Sequence, residues 1–573
     1  MLSLRLLLAL AAAQQGDSQQ ILRFARDAQA DFEWIRRHHL PTRHGYGGSA
    51  CDERIGRFCF WHPDDRTDPP PPPEEPRRIR AARDRLVQQL DSVAALLPGD
   101  EWIAGQLVRY LVESGRSTEA VAAVRECRAA AWWCGALAGF ALHTAGDFAG
   151  ADSVYRAALG DMPREERCRW TDLTLLLEGD LGRRYRRLNC DERRAFESRL
   201  WWLAQPLYSL LGNDRRTEHL ARATLSRIAE KARTPYAVSW GDDLREITLR
   251  YGWPTSWTQE PAGGSAAPDV LVSGHEPSPS FHFLADAGAF DDPATASSSA
   301  WTLHARRPRE RYGPAYAHSV APLEHQVALF RRGESCLTVA AYDVGRDTGF
   351  ARASPDATLL LARDEDAASV TERRPGAGSS DVIVAQAECE PLLLSLEVVA
   401  PDRRHAARAR YGVHPPRAPP VTGDGVTVSD ILLFDPPDSL PTELAAVLAY
   451  VRGSVTARPD TRLGLFWEVY GLNPAGETVI TAVDVVPARA GWLRRATQSL
   501  GLAKRRAAVR LEWSEVLRPR GLVAGGAGGA GGAGRALALE LSGLSPGRYR
   551  VAVRAATERS AAVAARDIEI GGR

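Results

Sequence analysis

At 573 residues the chain is too long for one hydrophobic core and is read as several domains. A content of 44% hydrophobic and 25% charged residues is that of ordinary globular protein, and a formal net charge of +1 excludes a dedicated polyanion binder, so no nucleic-acid partner is expected. Lys231 and Lys504 are the only lysines, and the Arg, Ala and Gly bias reads as that of a GC-rich genome.

The opening stretch MLSLRLLLALAAAQQGDSQQ has one positive charge at Arg5, an apolar run from Leu6 and small residues at Ala11–Ala13. It is similar to a secretory signal peptide over residues 1–13, with a short buried helix as the alternative. No other apolar stretch approaches the roughly 20 residues that span a bilayer. An extracytoplasmic protein, periplasmic or secreted, with no transmembrane segment after cleavage is therefore expected. The even count of 8 cysteines fits that address, although about 105 pairings stay open in principle. Sequence neighbours suggest Cys51–Cys59, Cys127–Cys134, Cys168–Cys190 and Cys336–Cys389. The first pair lies in the segment 14–66, which also carries His38, His39, His44 and His62. A zinc site is weighed there, but no CxxC or HExxH spacing matches and export favours oxidation, so no metal is expected.

Residues 67–76, TDPPPPPEEP, form a polyproline linker that enters neither helix nor sheet. The helical domain 77–190 follows. Within it WWCGALAGFALHTAGDFAGADSVYRAALGDMP places Gly139, Gly146, Ala151, Tyr155, Ala158 and Pro163 so that small residues let paired helices approach, Gly146 opens the turn and Pro163 stops the second helix. Gly115 and Ala120 echo Gly146 and Ala151 one repeat earlier. The block from about Glu101 to Arg164 thus resembles tetratricopeptide repeats, with a plain pair of helical hairpins as the alternative. Two units are fewer than such stacks need, so neighbouring helices must complete the core.

Residues 191–260 hold Glu192-Arg193-Arg194-Ala195-Phe196, Trp201-Trp202, Pro206, Asn213 and Arg222, then SWGDD at Ser239–Asp243 and RYGWP at Arg250–Pro254. Over about residues 191–255 this resembles the GWxTD-domain family of bacterial, mostly exported proteins, which brings no known activity. Trp240, Asp243, Tyr251, Gly252 and Pro254 fit its pattern, while Ser239, Asp242 and Leu244-Arg245-Glu246 depart from it. The stretch reads as a structural joint between a helical and a β half. Ile247 and Leu249 alternate with Thr248 and Arg250 as a short strand, Gly252 supplies a positive φ, and Pro254 stops the strand. Trp240 plugs the space between the halves, and Asp243 caps backbone donors or pairs with an arginine such as Arg245. A catalytic loop is the competing reading.

PAGGSAAP (261–268) reads as a linker, and short alternating apolar runs follow. HQVALF, SCLTVAAYDV, ATLLLAR, DVIVAQAE and LLLSLEVVA place a first β-sandwich at 268–418; TVSDILLFD, RLGLFWEVYGL, ETVITAVDVV, AVRLEWSEV, RALALELSG, GRYRVAVRAA and ARDIEI place a second at 426–573. In LSGLSPGRYRVAV, which resembles the last hairpin of immunoglobulin-like modules, Tyr549, Val551 and Val553 share one face. Gly525–Gly534 contains a formal GxGxxG, but a strand pattern follows it where a phosphate loop needs a helix, so it reads as a flexible loop.

HExxH, SxxK and CxxCH are all missing from the sequence. Glu218-His219 and Glu324-His325 read as surface-helix or strand-edge residues, Asp435 and Asp438 as a turn, and Trp132-Trp133 and Trp201-Trp202 as core and groove filling. The fold expected is multidomain, α then β: tetratricopeptide-like hairpins followed by two immunoglobulin-like sandwiches. The function expected is a non-enzymatic exported interaction or envelope scaffold protein that binds a peptide or protein partner through its helical repeats, without cofactor. The alternative is an exported hydrolase or carbohydrate-active enzyme with a site assembled from distant loops.

Overall fold

The computed structural model describes residues 2–42, 51–60, 62, 73–261, 270–351, 353–367, 369–420, 425–488, 509–519 and 531–571; His44, residues 67–72 of the proline run and residues 525–530 of the glycine run lie outside them. The chain forms two compact units, Met1–Phe290 with Trp301–His318, and Asp291–Ala300 with Ser319–Arg573. No helix among the described residues is long and apolar enough to cross a membrane.

In the first unit, α1 (Leu2–His39) packs on α2 (Arg77–Leu96), so residues 17–39 of the cysteine-containing N-terminal segment are helical. Two hairpins follow: α3 (Glu101–Glu113) with α4 (Ser117–Arg125), and α5 (Ala131–Thr144) with α6 (Phe148–Asp161). Their turns pass through Gly115 and Gly146 at φ of 74° and 85°, a region that glycine enters without strain. Asp147 caps α6 by accepting from the Gly150 amide. The α5–α6 contact depends on small residues. A Cβ on Gly139 would lie 2.6 Å from the Tyr155 ring, one on Gly135 would lie 3.0 Å from Ala158, and Ala151 and Ala158 are buried. Pro163 caps α7 (Arg164–Trp170), and α8 (Gly179–Arg187) and α9 (Arg193–Ala204) lead to α10 (Asp214–Ala229). All but Arg216, Leu225 and Arg227 of the 16 residues of α10 are buried, so its polar side chains must find partners inside the protein.

Three sequence expectations are corrected here. Residues 242–251 are a helix, α11 (Asp242–Tyr251), in place of a strand. Leu244, Ile247, Thr248 and Tyr251 recur at helical spacing and are buried together, and Asp242 and Asp243 sit in the first turn where the helix dipole favours acids. That stripe outweighs the short Ile247/Leu249 alternation. Second, PAGGSAAP joins two paired strands rather than two domains: Ser256–Pro261 and Val270–His275 form an antiparallel hairpin within the first unit. Third, residues 270–290 and 301–318 belong to the helical unit, so the first β domain begins near Ser319, with Asp291–Ala300 added from upstream.

Among the described residues the second unit is a stack of four sheets. We number its strands βa1 to βa8 in the N-terminal part: Ser319–Pro322, His325–Arg332, Ser335–Asp343, Asp356–Ala362, Val370–Arg374, Ser380–Glu388, Leu392–Ala400 and His405–Val413. They make a five-stranded and a three-stranded sheet. The C-terminal part builds a four-stranded sheet around Arg462–Tyr470 and a five-stranded sheet centred on Gly547–Ala556. The alternation of side chains on two strands explains the stacking. On His325–Arg332, Val327 and Leu329 face the core shared with Leu394 and Leu396, while Ala328 and Phe330 face a core shared with Phe434 and Phe466. On Arg462–Tyr470, Phe466 faces that middle core, while Leu465, Trp467 and Val469 face the last one, beside Val551 and Val553. The two regions read as separate sandwiches therefore share a core. Gln326 fastens it: its Nε2 donates to Leu433 O at 2.8 Å, and its Oε1 accepts from Leu433 N at 3.0 Å.

Each cysteine bonds to its sequence neighbour: Cys51–Cys59, Cys127–Cys134, Cys168–Cys190 and Cys336–Cys389, with Cα–Cα distances of 5.4, 5.8, 5.6 and 5.0 Å. Of the glycine run, Gly534 is in a strand, Ala533–Glu540, paired with Arg462–Tyr470.

Candidate functional site

The helix α11 is gripped from both sides. On one side lies the disulfide-closed hairpin Glu53–Ile55/Phe58–Phe60. Ile55 joins Ile247 and Tyr251 in a small core, and the Phe60 ring stacks on Tyr251 at 3.9 Å. Arg57 Nε and Nη2 donate to Asp243 at 2.6 and 2.7 Å, and these bonds hold the Asp243 carboxyl down at about 2. Glu53 accepts from Arg250 at 2.7 Å. On the other side, Arg222 Nη1 donates to Leu249 O and Arg250 O at 3.1 and 3.0 Å, satisfying the last carbonyls of α11. Gly252, at φ 100°, ends the helix where a Cβ would lie 3.4 Å from the Arg222 guanidinium.

Between these grips and the hairpins α3–α4 and α5–α6 lies a pocket of about 230 Å³ inside the first unit. Five aromatic residues wall it: Phe140, Tyr236, Trp240, Trp253 and Trp257. Trp253 meets Phe140 edge to face at 5.5 Å, and Tyr236 meets Trp257 at 5.0 Å. Ile247 and Thr248 of α11 and Leu225 of α10 complete the apolar wall. Three of the wall's polar groups are engaged. Trp240 Nε1 donates to Ser226 Oγ at 3.2 Å, Thr234 Oγ1 to Val238 O at 2.9 Å, and Thr255 Oγ1 to His275 O at 3.3 Å.

Arg109 and Glu113 of α3 form the charged end. Glu113 accepts from Arg36, and from Arg83 at 3.3 Å. Arg109 is buried and reaches Glu33 and Gln106 at 3.3 and 3.4 Å. Tyr110 donates to the same Glu33 at 2.6 Å, and burial pushes the Glu33 carboxyl above its usual range.

A second polar cluster runs along α10. Glu218 is buried, accepting from Arg222 Nε at 2.7 Å and meeting His143 Nε2 at 2.7 Å. Burial opposes its charge, but Arg222 and His143 prevail and hold it at about 2. Arg215 pairs with Glu310 at 2.5 Å, both fully buried. Burial and the charges of Arg215 and Arg222 push His219 down to about 3, and its Nε2 lies 3.1 Å from Trp170 O. Glu218 and His219 are therefore core residues, correcting their assignment to a surface helix. Glu218 and Glu310 are each spent on an arginine, as in a structural network, whereas burial pushes Asp214 at the start of α10 up to about 6, where it accepts from Tyr316 Oη at 2.9 Å.

Trp240 is corrected as well. It is half-buried within the first unit as part of the pocket wall, and it does not plug the space between two halves. Asp243 pairs with Arg57 and not with Arg245, whose Nη2 donates to Arg169 O at 3.3 Å. Pro254 lines the pocket and packs against Gly274, where a Cβ would lie 2.5 Å away. Tyr251 lies outside the pocket lining, against the disulfide hairpin. Phe140, Tyr236, Trp257 and Arg109 also line the pocket; aromatic crowding over residues 236–257 is a sequence signal for Tyr236 and Trp257, and none marks Phe140 or Arg109. Elsewhere, Asp435 accepts from Arg452, and His325 Nε2 lies 3.1 Å from Tyr411 Oη.

No family model matches the chain, and no curated protein matches it. Among solved structures it is similar to red sea bream transglutaminase, at 11% identity and a TM-score of 0.14 over 44% of this chain and 32% of that one. It is similar to Escherichia coli alpha-2-macroglobulin activated by porcine elastase, at 14% identity and a TM-score of 0.15 over 46% and 24%. A third likeness is to the chicken CNTN1 FN1–FN3 domains, at 9% identity and a TM-score of 0.10 over 44% and 99%. The chain spans less than two thirds of the length of the first two, and likenesses at these scores assign neither fold nor activity.

Proposed function

We propose that this chain is an exported, non-enzymatic interaction or envelope scaffold protein whose helical unit holds a peptide or protein partner and whose β unit serves as spacer or docking module. One observation carries the reading: the aromatic pocket built where the helical hairpins meet the Trp240–Pro254 stretch. Enclosed apolar sites with a few polar groups at one end are the usual form of ligand sites. At about 230 Å³ the pocket suits a single side chain or a fragment of that size. The proposal includes a leader at residues 1–13 and export, supported by four disulfides. It takes the hairpins as tetratricopeptide-like, supported by the Gly139–Tyr155 approach and the paired glycine turns. It takes residues 191–255 as GWxTD-like, supported by the gathering of Trp240, Trp253 and Pro254 around one cavity, and the β sheets as immunoglobulin-like sandwiches.

The test is a fluorescence titration of the disulfide-bonded protein with a peptide library, beside Trp253→Ala. Peptides that bind the parent and not a folded Trp253→Ala variant support the reading. Binding that the variant retains in full, or turnover of a peptide or glycoside by the parent, removes it.

A further inference from the structure

Three facts narrow what the pocket holds. Its apolar wall is aromatic, and the Trp240, Thr234 and Thr255 donors in that wall are directed elsewhere. Those three donors are therefore not offered to the hydroxyls of a sugar ring, whose burial without partners costs free energy. The charged end is the second fact. Glu113 is shared by two arginines, while Arg109 holds its two partners at 3.3 and 3.4 Å, longer than charge-assisted bonds usually run. Glu33 also divides itself among Arg109, Arg36 at 3.5 Å and the Tyr110 hydroxyl. The third fact is that Arg83 already has a full two-pronged partner in Glu75, at 2.9 and 2.7 Å. Of these three arginines Arg109 is the one that lines the pocket, and its long bonds leave it capacity to offer an anion. Burial raises the Glu33 carboxyl above its usual range and so weakens its hold on Arg109, while Arg36 and Arg83 offset the charge of Glu113.

We infer that the pocket takes an apolar ring or side chain that carries a carboxylate, the ring among Tyr236, Trp240 and Trp253 and the carboxylate on Arg109. This deepens the binding reading above and rests on it. Two sources share the chemistry: the C-terminal residue of a peptide, and a free aryl-alkanoic acid. A guanidinium offers a carboxylate two parallel donors, and a buried one does so with little competition from water.

Calorimetry on the full disulfide-bonded chain tests it with four probes: hydrocinnamate, its amide hydrocinnamamide, and the peptide acetyl-glycyl-alanyl-phenylalanine as free acid and as amide. The acids should bind about tenfold or more tighter than the amides, the size of one charge-assisted hydrogen bond. Arg109→Gln should abolish that preference and Arg109→Lys should keep part of it. The acid–amide comparison on the parent needs no variant, so poor folding of Arg109→Gln leaves the test standing. A peptide acid that binds about tenfold tighter than hydrocinnamate identifies a peptide C-terminus, and equal binding identifies the small acid. Equal binding of acids and amides overturns the carboxylate assignment and leaves the pocket as a ligand site. Failure of all four probes to bind overturns both.

Discussion

Arg57 and Asp243, 186 residues apart, meet in a two-pronged ion pair that ties a disulfide-closed hairpin to the first turn of α11. The same Arg57 donates to Ser239 O at 3.0 Å, and Phe58 meets the Tyr236 ring at 5.1 Å. The hairpin therefore steadies the loop that supplies Tyr236 and Trp240 to the pocket.

Asp243→Asn should loosen this hairpin with a small loss of global stability. Arg57 is 44% exposed, so the pair contributes about 0.5–1 kcal/mol after solvent screening. The Asp243 pKa is depressed to about 2, so the contribution is present above the unfolded value near about 4 and disappears as pH falls through about 2. Hydrogen exchange at Arg54 and Ile55 checks this. Exchange equal to the parent at neutral pH would count against the clamp.

His219 predicts an acid-side slope. Its folded pKa of about 3 lies below the unfolded value of about 6.5, so between those limits the unfolded chain binds a proton that the native protein refuses. Native stability should fall with decreasing pH across that window by about 1.4 kcal/mol per pH unit from this group, with no contribution above it. Urea melts of the parent and of His219→Gln, run across the window, should differ in slope. Parallel profiles would mean that the imidazole is not held neutral.

Ala158→Trp should overpack the α5–α6 hairpin. Ala158 is 3% exposed and faces Gly135, leaving no volume for an indole. The expected loss is at least about 1–3 kcal/mol, read as a lower melting midpoint. A variant that melts like the parent would show that this contact is not close-packed.

Gln326→Leu should weaken the middle of the β stack. It removes the acceptor of the buried Leu433 amide and that of Arg566 Nη1, which donates to Gln326 Oε1 at 2.7 Å, while the Leu433 carbonyl keeps the Arg452 amide at 3.2 Å. Leaving such buried groups unpaired costs about 1–3 kcal/mol. Limited proteolysis should then cut the second unit faster, and an unchanged digestion pattern would argue that the shared core alone holds the sheets together.

Protein recovered from an oxidising compartment should take up no thiol label before reduction, because all eight cysteines are paired. Mass spectrometry after alkylation reads this directly, and labelled cysteines in unreduced material would contradict the oxidised state.

Sequence by itself determined the features whose signals are local. Runs such as 325–332 and 392–400, rich in apolar and β-branched residues between turns, became strands. Glycines 31 residues apart became helix-hairpin turns, and cysteines paired with their neighbours. Tertiary structure decided the rest. His405–Val413, an alternation of alanine and arginine, looks like exposed polar chain, yet Arg410 is buried because Glu397 and Ser395 on the adjacent strand accept from it. The polar residues of α10 look like a solvated face, and partners such as Glu310, His143, Tyr316 and the end of α11 make their burial tolerable. Residues 242–251 carry both a short alternation and a helical stripe, and the stripe prevailed once Ile55 and Phe60 arrived to cover it. The pocket draws its walls from positions 109 to 257. Propensity acts over a few residues, whereas burial of charge and closure of a cavity depend on partners tens to hundreds of residues away. The sequence lists those partners without saying which of them will meet.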